Sequence, residues 1–301
     1  MSYLYFPGCS LKSTGRAYEE SMLACFAKLG EPLEEIEDWN CCGATAYMSI
    51  SELKAIALSA RNLALAQRQS KNTTHNDLVV PCAACYLGLN KAQHYINESS
   101  EIQATVSDAL AAAGLSYSNN MKIRHPLDVL INDIGLKQIK EAVTKPLKGY
   151  RVACYYGCQL VRPYADFDDQ HNPQTMDNLL KALGAEIVDW PLKTRCCGGS
   201  LTGTVPDIGL RLSYILLKEA SQRGANVVAT ACPLCQFNLE CYQNVMRKRY
   251  KEPIKKTVVY FSQLLGLALG ISEHELGLHR QFVPLQMPEQ VPAVTGGAHA
   301  K

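Results

Sequence analysis

Ten of the 13 cysteines in this 301-residue chain fall into two copies of one pattern. The first copy reads Gly8-Cys9, Cys41-Cys42-Gly43 and Cys82-Ala83-Ala84-Cys85; the second reads Gly157-Cys158, Cys196-Cys197-Gly198 and Cys232-Pro233-Leu234-Cys235. Cys9 and Cys41 are 32 positions apart and Cys158 and Cys196 are 38, while Cys42 to Cys82 is 40 and Cys197 to Cys232 is 35. The same order at near-equal intervals predicts a duplicated metal-binding unit. Each unit offers five thiolates, one more than a tetrahedral zinc or an ordinary iron–sulfur cluster uses. Zinc would leave that thiolate idle, and a disulfide framework would need an oxidising compartment. A redox switch at the adjacent cysteines would not account for the others. Soft thiolates select iron–sulfur clusters, copper(I) or zinc, and a fifth can bridge two irons. The residues therefore point to iron–sulfur clusters with distorted, partly open coordination.

Three loops per half must converge for this chemistry, so the next question is what carries them. Leu78-Val79-Val80 runs into Pro81-Cys82, and Val227-Val228-Ala229-Thr230 into Ala231-Cys232, a phrase of strand, cysteine loop and helix. Leu53, Ile56, Ala57, Ala60 and Leu63 recur at helical spacing, as do Ile208, Leu212, Ile215 and Leu216, which predicts amphipathic helices on a sheet. Arg151–Ala153 and Ala185–Val188 read as strands, and Pro173 to Leu183 as a helix ended by Gly184. The expected class is α/β, with two pseudo-repeated Rossmann-like small parallel-sheet domains, each carrying cysteines at its strand C-terminal edge. Gly8, Gly43, Gly157 and Gly198 are expected where the backbone turns tightly beside a cluster. The expected domains are 1–145 with a connector, then 146–285, then a loose tail at 286–301, and the connecting stretch reads from about Ser116 to Gly149 with helical pieces at Leu127–Ile134 and Gln138–Val143.

Other residues carry more than one reading. Matching Tyr5-Phe6-Pro7-Gly8-Cys9 to Cys154-Tyr155-Tyr156-Gly157-Cys158 sets Cys158 opposite Cys9, leaving Cys154 as a neighbour of the site or an alternate ligand. Cys25 and Cys241 lie on helical patterns and read as small buried side chains. His125, before Pro126, could cap a helix or donate protons. Tyr86, Tyr155 and Tyr156 could donate to cluster sulfur or simply pack, and Lys12, Arg16 and Arg162 could attract an anionic group of a substrate.

Composition narrows the function classes. A net charge of +2, from 30 basic and 28 acidic residues, provides no field to gather nucleic acid or an anionic membrane. The first residues lack the pattern of a signal peptide, and the longest apolar stretch, Leu264 to Ile271, is too short to span a bilayer. A cytoplasmic protein with reduced thiols is expected. No Gly-x-Gly-x-x-Gly follows a strand, so electrons must come from a partner rather than a bound nicotinamide.

With both cysteine patterns complete, the chain resembles the tandem CCG proteins typified by the heterodisulfide reductase B subunit, over nearly its whole length to about Leu285. Succinate dehydrogenase E-type subunits, the C-type subunits of glycerol-3-phosphate dehydrogenase and lactate-utilisation proteins share the motif. The resemblance implies two noncubane four-iron–four-sulfur clusters, one on Cys9, Cys41, Cys42, Cys82 and Cys85 and one on Cys158, Cys196, Cys197, Cys232 and Cys235, with Gly8, Gly43, Gly157 and Gly198 beside them. It implies cleavage of the mixed disulfide of coenzyme M and coenzyme B, each sulfur taken by iron of a different cluster. It also implies electrons from a ferredoxin-like subunit, itself fed by a flavin-containing subunit of the same complex. The alternative is an electron-transfer or sulfur-handling subunit of a bacterial sulfur-oxidising or other redox complex.

Overall fold

The computed structural model describes residues 3–44, 46–70, 76–164 and 166–286. Two four-stranded parallel sheets carry the chain. The first holds β1 (Tyr3–Tyr5), β2 (Leu33–Glu35), β3 (Asp77–Val79) and β4 (Lys122–Arg124), in the order β2-β1-β3-β4. The second holds β5 (Arg151–Tyr155), β6 (Glu186–Ile187), β7 (Val227–Thr230) and β8 (Thr257–Tyr260), in the order β6-β5-β7-β8. Strand order reverses between β1 and β3 and again between β5 and β7. In open α/β sheets that switch opens a crevice at the strand C-terminal ends.

The central strands Tyr3–Tyr5 and Val227–Thr230 are buried throughout, as is the edge strand Thr257–Tyr260, because helices cover both faces of a parallel sheet. The expected amphipathic helices are Glu52–Ser70 and Pro206–Gln222, which bury Ile56, Ala60 and Leu63 on one and Leu210, Leu216 and Leu217 on the other. Leu53, Ile208 and Ile215 are exposed, against the expectation that they face the sheet.

Two other expectations change. The stretch read as a connector supplies β4, which pairs with β3 through Leu78 and Ile123 and completes the first sheet. Its helical pieces are Pro126–Val129, a π-helical turn at Leu130–Gly135, and Leu136–Glu141. The helix expected from Pro173 begins at Thr175, and Gly184 follows it at φ 94°. The expected tail, apart from Gln286, lies outside the described residues.

One hydrophobic core runs through both halves. The helix Phe261–Ala268 of the second packs on Arg16–Lys28 of the first. Tyr18 stacks on Tyr260 with ring centroids 4.4 Å apart, and the Ser21 and Ser262 hydroxyls meet at 2.7 Å.

Candidate metal centre

Cys9, Cys41-Cys42 and Cys82 each follow a strand of the first sheet, and Cys158, Cys196-Cys197 and Cys232 follow β5, β6 and β7 of the second. Cys85 and Cys235 ride on the first turns of the helices Ala83–Glu98 and Pro233–Cys241. The ten thiols form an unbroken line of sulfur contacts. From Cys9 the line passes to Cys41, Cys42, Cys85 and Cys82, crosses to Cys232, and continues through Cys235, Cys197 and Cys196 to Cys158. The order is palindromic, so the duplicated units face one another across a Cys82–Cys232 contact. Cys9 Sγ lies 3.8 Å from Cys41 Sγ, and Cys42 Sγ 3.1 Å from Cys85 Sγ. Cys9, Cys41 and Cys196 reach solvent, Cys158 is half-buried, and the other six are buried.

The glycines serve close approach. Gly8 and Gly157 sit at φ 68° and 73°, and a Cβ there would meet Cys85 Sγ at 2.8 Å and Cys235 Sγ at 3.1 Å. The peptide N–H groups of Gly43 and Gly198 point at Cys41 Sγ and Cys196 Sγ, at 3.5 and 3.3 Å. Those bonds help hold Cys41 and Cys196 as thiolates, but neighbouring thiols are the larger cause. Contact with the Cys42 and Cys9 thiols at Cys41, and with the Cys158 and Cys197 thiols at Cys196, pulls both well below the ordinary thiol range. Their neighbours move the other way: the bond to Cys41 pushes Cys42 up to about 12, and the bond to Cys196 pushes Cys197 up to about 11.

Cys154 stands apart from the line. Its buried thiol bonds the carboxylate of Asp177, which Lys193 Nζ meets at 2.6 Å and the Tyr156 hydroxyl at 2.7 Å. Burial pushes the Cys154 thiol upward. Cys25 donates to Ser262 O at 3.2 Å inside the core, and Cys241 is half-buried on its helix.

His125 caps the helix Pro126–Val129, its Nδ1 accepting from Leu127 N–H at 3.2 Å. That leaves Nε2 as the donor. It bonds the carbonyls of Pro81, at 3.1 Å, and Ala231, the residues directly before Cys82 and Cys232. One imidazole thereby ties both Cys-x-x-Cys loops together. The tyrosines near the cysteines bond oxygen: Tyr155 donates to Arg195 O at 2.6 Å, and Tyr156 to Asp177. Tyr86 packs edge-on against His125 and Phe167. Lys12 is held by Glu19 and Glu35, and Arg16 by Glu20, whereas Arg162 donates to the carbonyl of Thr194, two residues before Cys196. Sequence reasoning missed Asp177 and Asn238, whose Nδ2 lies 3.5 Å from Cys197 Sγ, because neither has a motif spacing.

Two all-sulfur donor sets of five, with glycine backbone pressed against sulfur, could hold thiophilic polynuclear clusters. Among the described residues, no three His, Cys, Asp or Glu side chains form a ready-made site for a single metal ion.

A family profile described as a cysteine-rich domain, CCG, matches residues 3–90 and 152–240. The chain is 32% identical over 283 residues to the 8-methylmenaquinol:fumarate reductase membrane anchor subunit of Wolinella succinogenes, covering 93% of this chain and 96% of that one. It is 29% identical to the B subunit of the ferredoxin:CoB-CoM heterodisulfide reductase of Methanosarcina mazei, covering 92% of each. It is 31% identical to a heterodisulfide reductase B-subunit-like protein of Archaeoglobus profundus, covering 92% of this chain and 93% of that one. A crystal structure of a hypothetical protein from Helicobacter pylori shares the fold, with a TM-score of 0.76 at 16% identity, over 95% of this chain and 53% of that one. The chain thus spans about half of that protein.

Proposed function

The chain belongs to the cysteine-rich CCG domain family in its tandem form, and from that premise we propose that it is the disulfide-reducing subunit of a heterodisulfide reductase-type complex. The observation that carries this reading is the palindromic line of ten thiols, with Cys82 against Cys232 at its centre and Cys9, Cys41 and Cys196 open to solvent. Two halves of one disulfide need two neighbouring acceptors, and the line supplies them.

In this reading the first set, Cys9, Cys41, Cys42, Cys82 and Cys85, holds one noncubane four-iron–four-sulfur cluster, and Cys158, Cys196, Cys197, Cys232 and Cys235 hold the other. Such clusters supply electrons and iron sites able to take thiolate sulfur. The chain's own residues shape the site. His125 fixes both Cys-x-x-Cys loops through the Pro81 and Ala231 carbonyls, and the peptide N–H groups of Gly43 and Gly198 stabilise negative sulfur. Gly8 and Gly157 leave room that a side chain would fill. Cleaving one disulfide to two thiols takes two electrons and two protons, the electrons coming from a ferredoxin-like partner fed by a flavin-containing one in the same complex. The mixed disulfide of coenzyme M and coenzyme B is the proposed substrate class.

A second reading follows from the Wolinella relative, whose name assigns it to a quinol:fumarate reductase. There the same two sets would pass electrons without cleaving a disulfide. No described helix is long and apolar enough to cross a membrane.

Anaerobic purification followed by iron analysis tests both readings together, with about eight irons per chain expected from two four-iron clusters. Oxidation of reduced viologen dye then separates them. Turnover on adding the coenzyme M–coenzyme B disulfide supports the first reading. Turnover with fumarate alone, in the assembled complex, supports the second.

A further inference from the structure

The two halves match in cysteine order but not in what surrounds the sulfur. In the second half Asn238, three residues after Cys235, sends Nδ2 to Cys197 Sγ at 3.5 Å and to Gly199 O at 2.9 Å. The position three after Cys85 is Gly88, beside Cys42 in the same way, where a Cβ would lie 4.0 Å from Cys42 Cβ. It has no side-chain donor. Arg162, four residues after Cys158, donates to the carbonyl of Thr194, which sets its cation on the loop two residues before Cys196. The position four after Cys9 is Ser13, whose hydroxyl is spent on the Cys9 and Ser10 carbonyls. Thr230, two before Cys232, is fully buried with an unpartnered hydroxyl, and Val80 stands two before Cys82.

The donors common to both halves make the difference informative. Gly43 and Gly198 N–H bond Cys41 and Cys196, and the hydroxyls of Ser59 and Ser213 bond the Cys42 and Cys197 carbonyls at 2.9 and 2.7 Å. Against that shared frame, Asn238 gives the second half a donor on sulfur and Arg162 a cation beside the Cys196 loop. The carboxylates lean the other way: two of them, Glu19 and Glu35, share Lys12 in the first half, while Lys193 and Asp177 balance in the second.

We propose that Asn238 and Arg162 are positioning residues that hold the second cysteine set, once loaded, at a higher reduction potential than the first. Hydrogen bonds to sulfur and nearby positive charge stabilise the more negative, reduced state. Cys9 is exposed where Cys158 is half-buried, which favours the first set, but Cys41 and Cys196 are exposed alike, so solvent separates the halves at one sulfur only. The inference rests on the cluster reading above and adds an order to the pair.

The test is a redox titration of the full iron-loaded chain, followed by electron paramagnetic resonance, for the natural protein, Asn238→Gly and Arg162→Ser. The natural protein should show two midpoints. Each variant should lower only the upper one, with about a tenfold loss of reduced fraction at fixed potential, equivalent to about 59 mV for one electron. Arg162 is partly exposed, so its variant keeps the test alive if Asn238→Gly fails to fold. A single shared midpoint, or variants that move the lower midpoint, would overturn this inference alone. Natural protein that holds no iron would overturn the cluster reading as well.

Discussion

Cys154 and Cys158 are four positions apart, yet only Cys158 joins the line of sulfurs, because the thiol of Cys154 is turned to Asp177 inside the second sheet's core. Cys158→Ser should therefore remove about half the iron and leave one cluster signal, while Cys154→Ser keeps both. Equal iron loss in the Cys154 variant, measured by metal analysis and paramagnetic resonance, would reverse the assignment. His125 makes a prediction about pH. Burial lowers its pKa from 6.5 to about 4, so the unfolded chain binds the extra proton first as pH falls. The neutral ring's contribution is fully present above about pH 6.5 and is lost as pH drops toward 4, a swing on the order of 3 kcal/mol. Thermal unfolding from pH 7 to 5 should show a steep fall in Tm that His125→Gln flattens. An unchanged slope in that variant would mean that other groups control the acid limb.

At the scale of elements, the two glycine turns beside the lone cysteines control access to sulfur. Gly8→Ala should cost roughly 1–3 kcal/mol, from strain at positive φ and contact with Cys85 Sγ. It should also lower iron in the first set alone. Gly30→Ala is the matched comparison: its φ is 86° but a Cβ there meets nothing within 4 Å, so stability should fall while iron content stays unchanged. What could be read from the sequence follows the same logic. The glycines, the cysteine repeat and the strands before Cys82 and Cys232 were legible because each has a local signal. β4 was not, since Lys122-Ile123-Arg124 has two charged residues in three and owes its place to pairing with β3. The burial of Arg124 comes from ion pairs with Asp77, Asp128 and Asp133, partners that sequence spacing does not announce. Exposed Leu53 and Ile208 show the opposite error, apolar periodicity continuing past the residues that touch the sheet.

At the scale of the whole molecule, the halves do not keep separate cores. Phe261 is fully buried and sits edge-on to Tyr18 at 5.9 Å, joining the second half's last helix to the first half's packing. Phe261→Ala should cost about 3–5 kcal/mol. The loss should appear in calorimetry as one transition at lower temperature, with both cluster signals fading together; two separated transitions would show that the halves fold independently. The thiol line has a further consequence, in the chain's life before maturation. Cys42 and Cys85 stand 3.1 Å apart, and a disulfide closes at about 2.05 Å. A newly made chain thus has oxidation as a competitor for its own ligands, and each closure takes two thiols out of the line. Under the cluster reading, metal that occupies the sulfurs early would protect them from that oxidation.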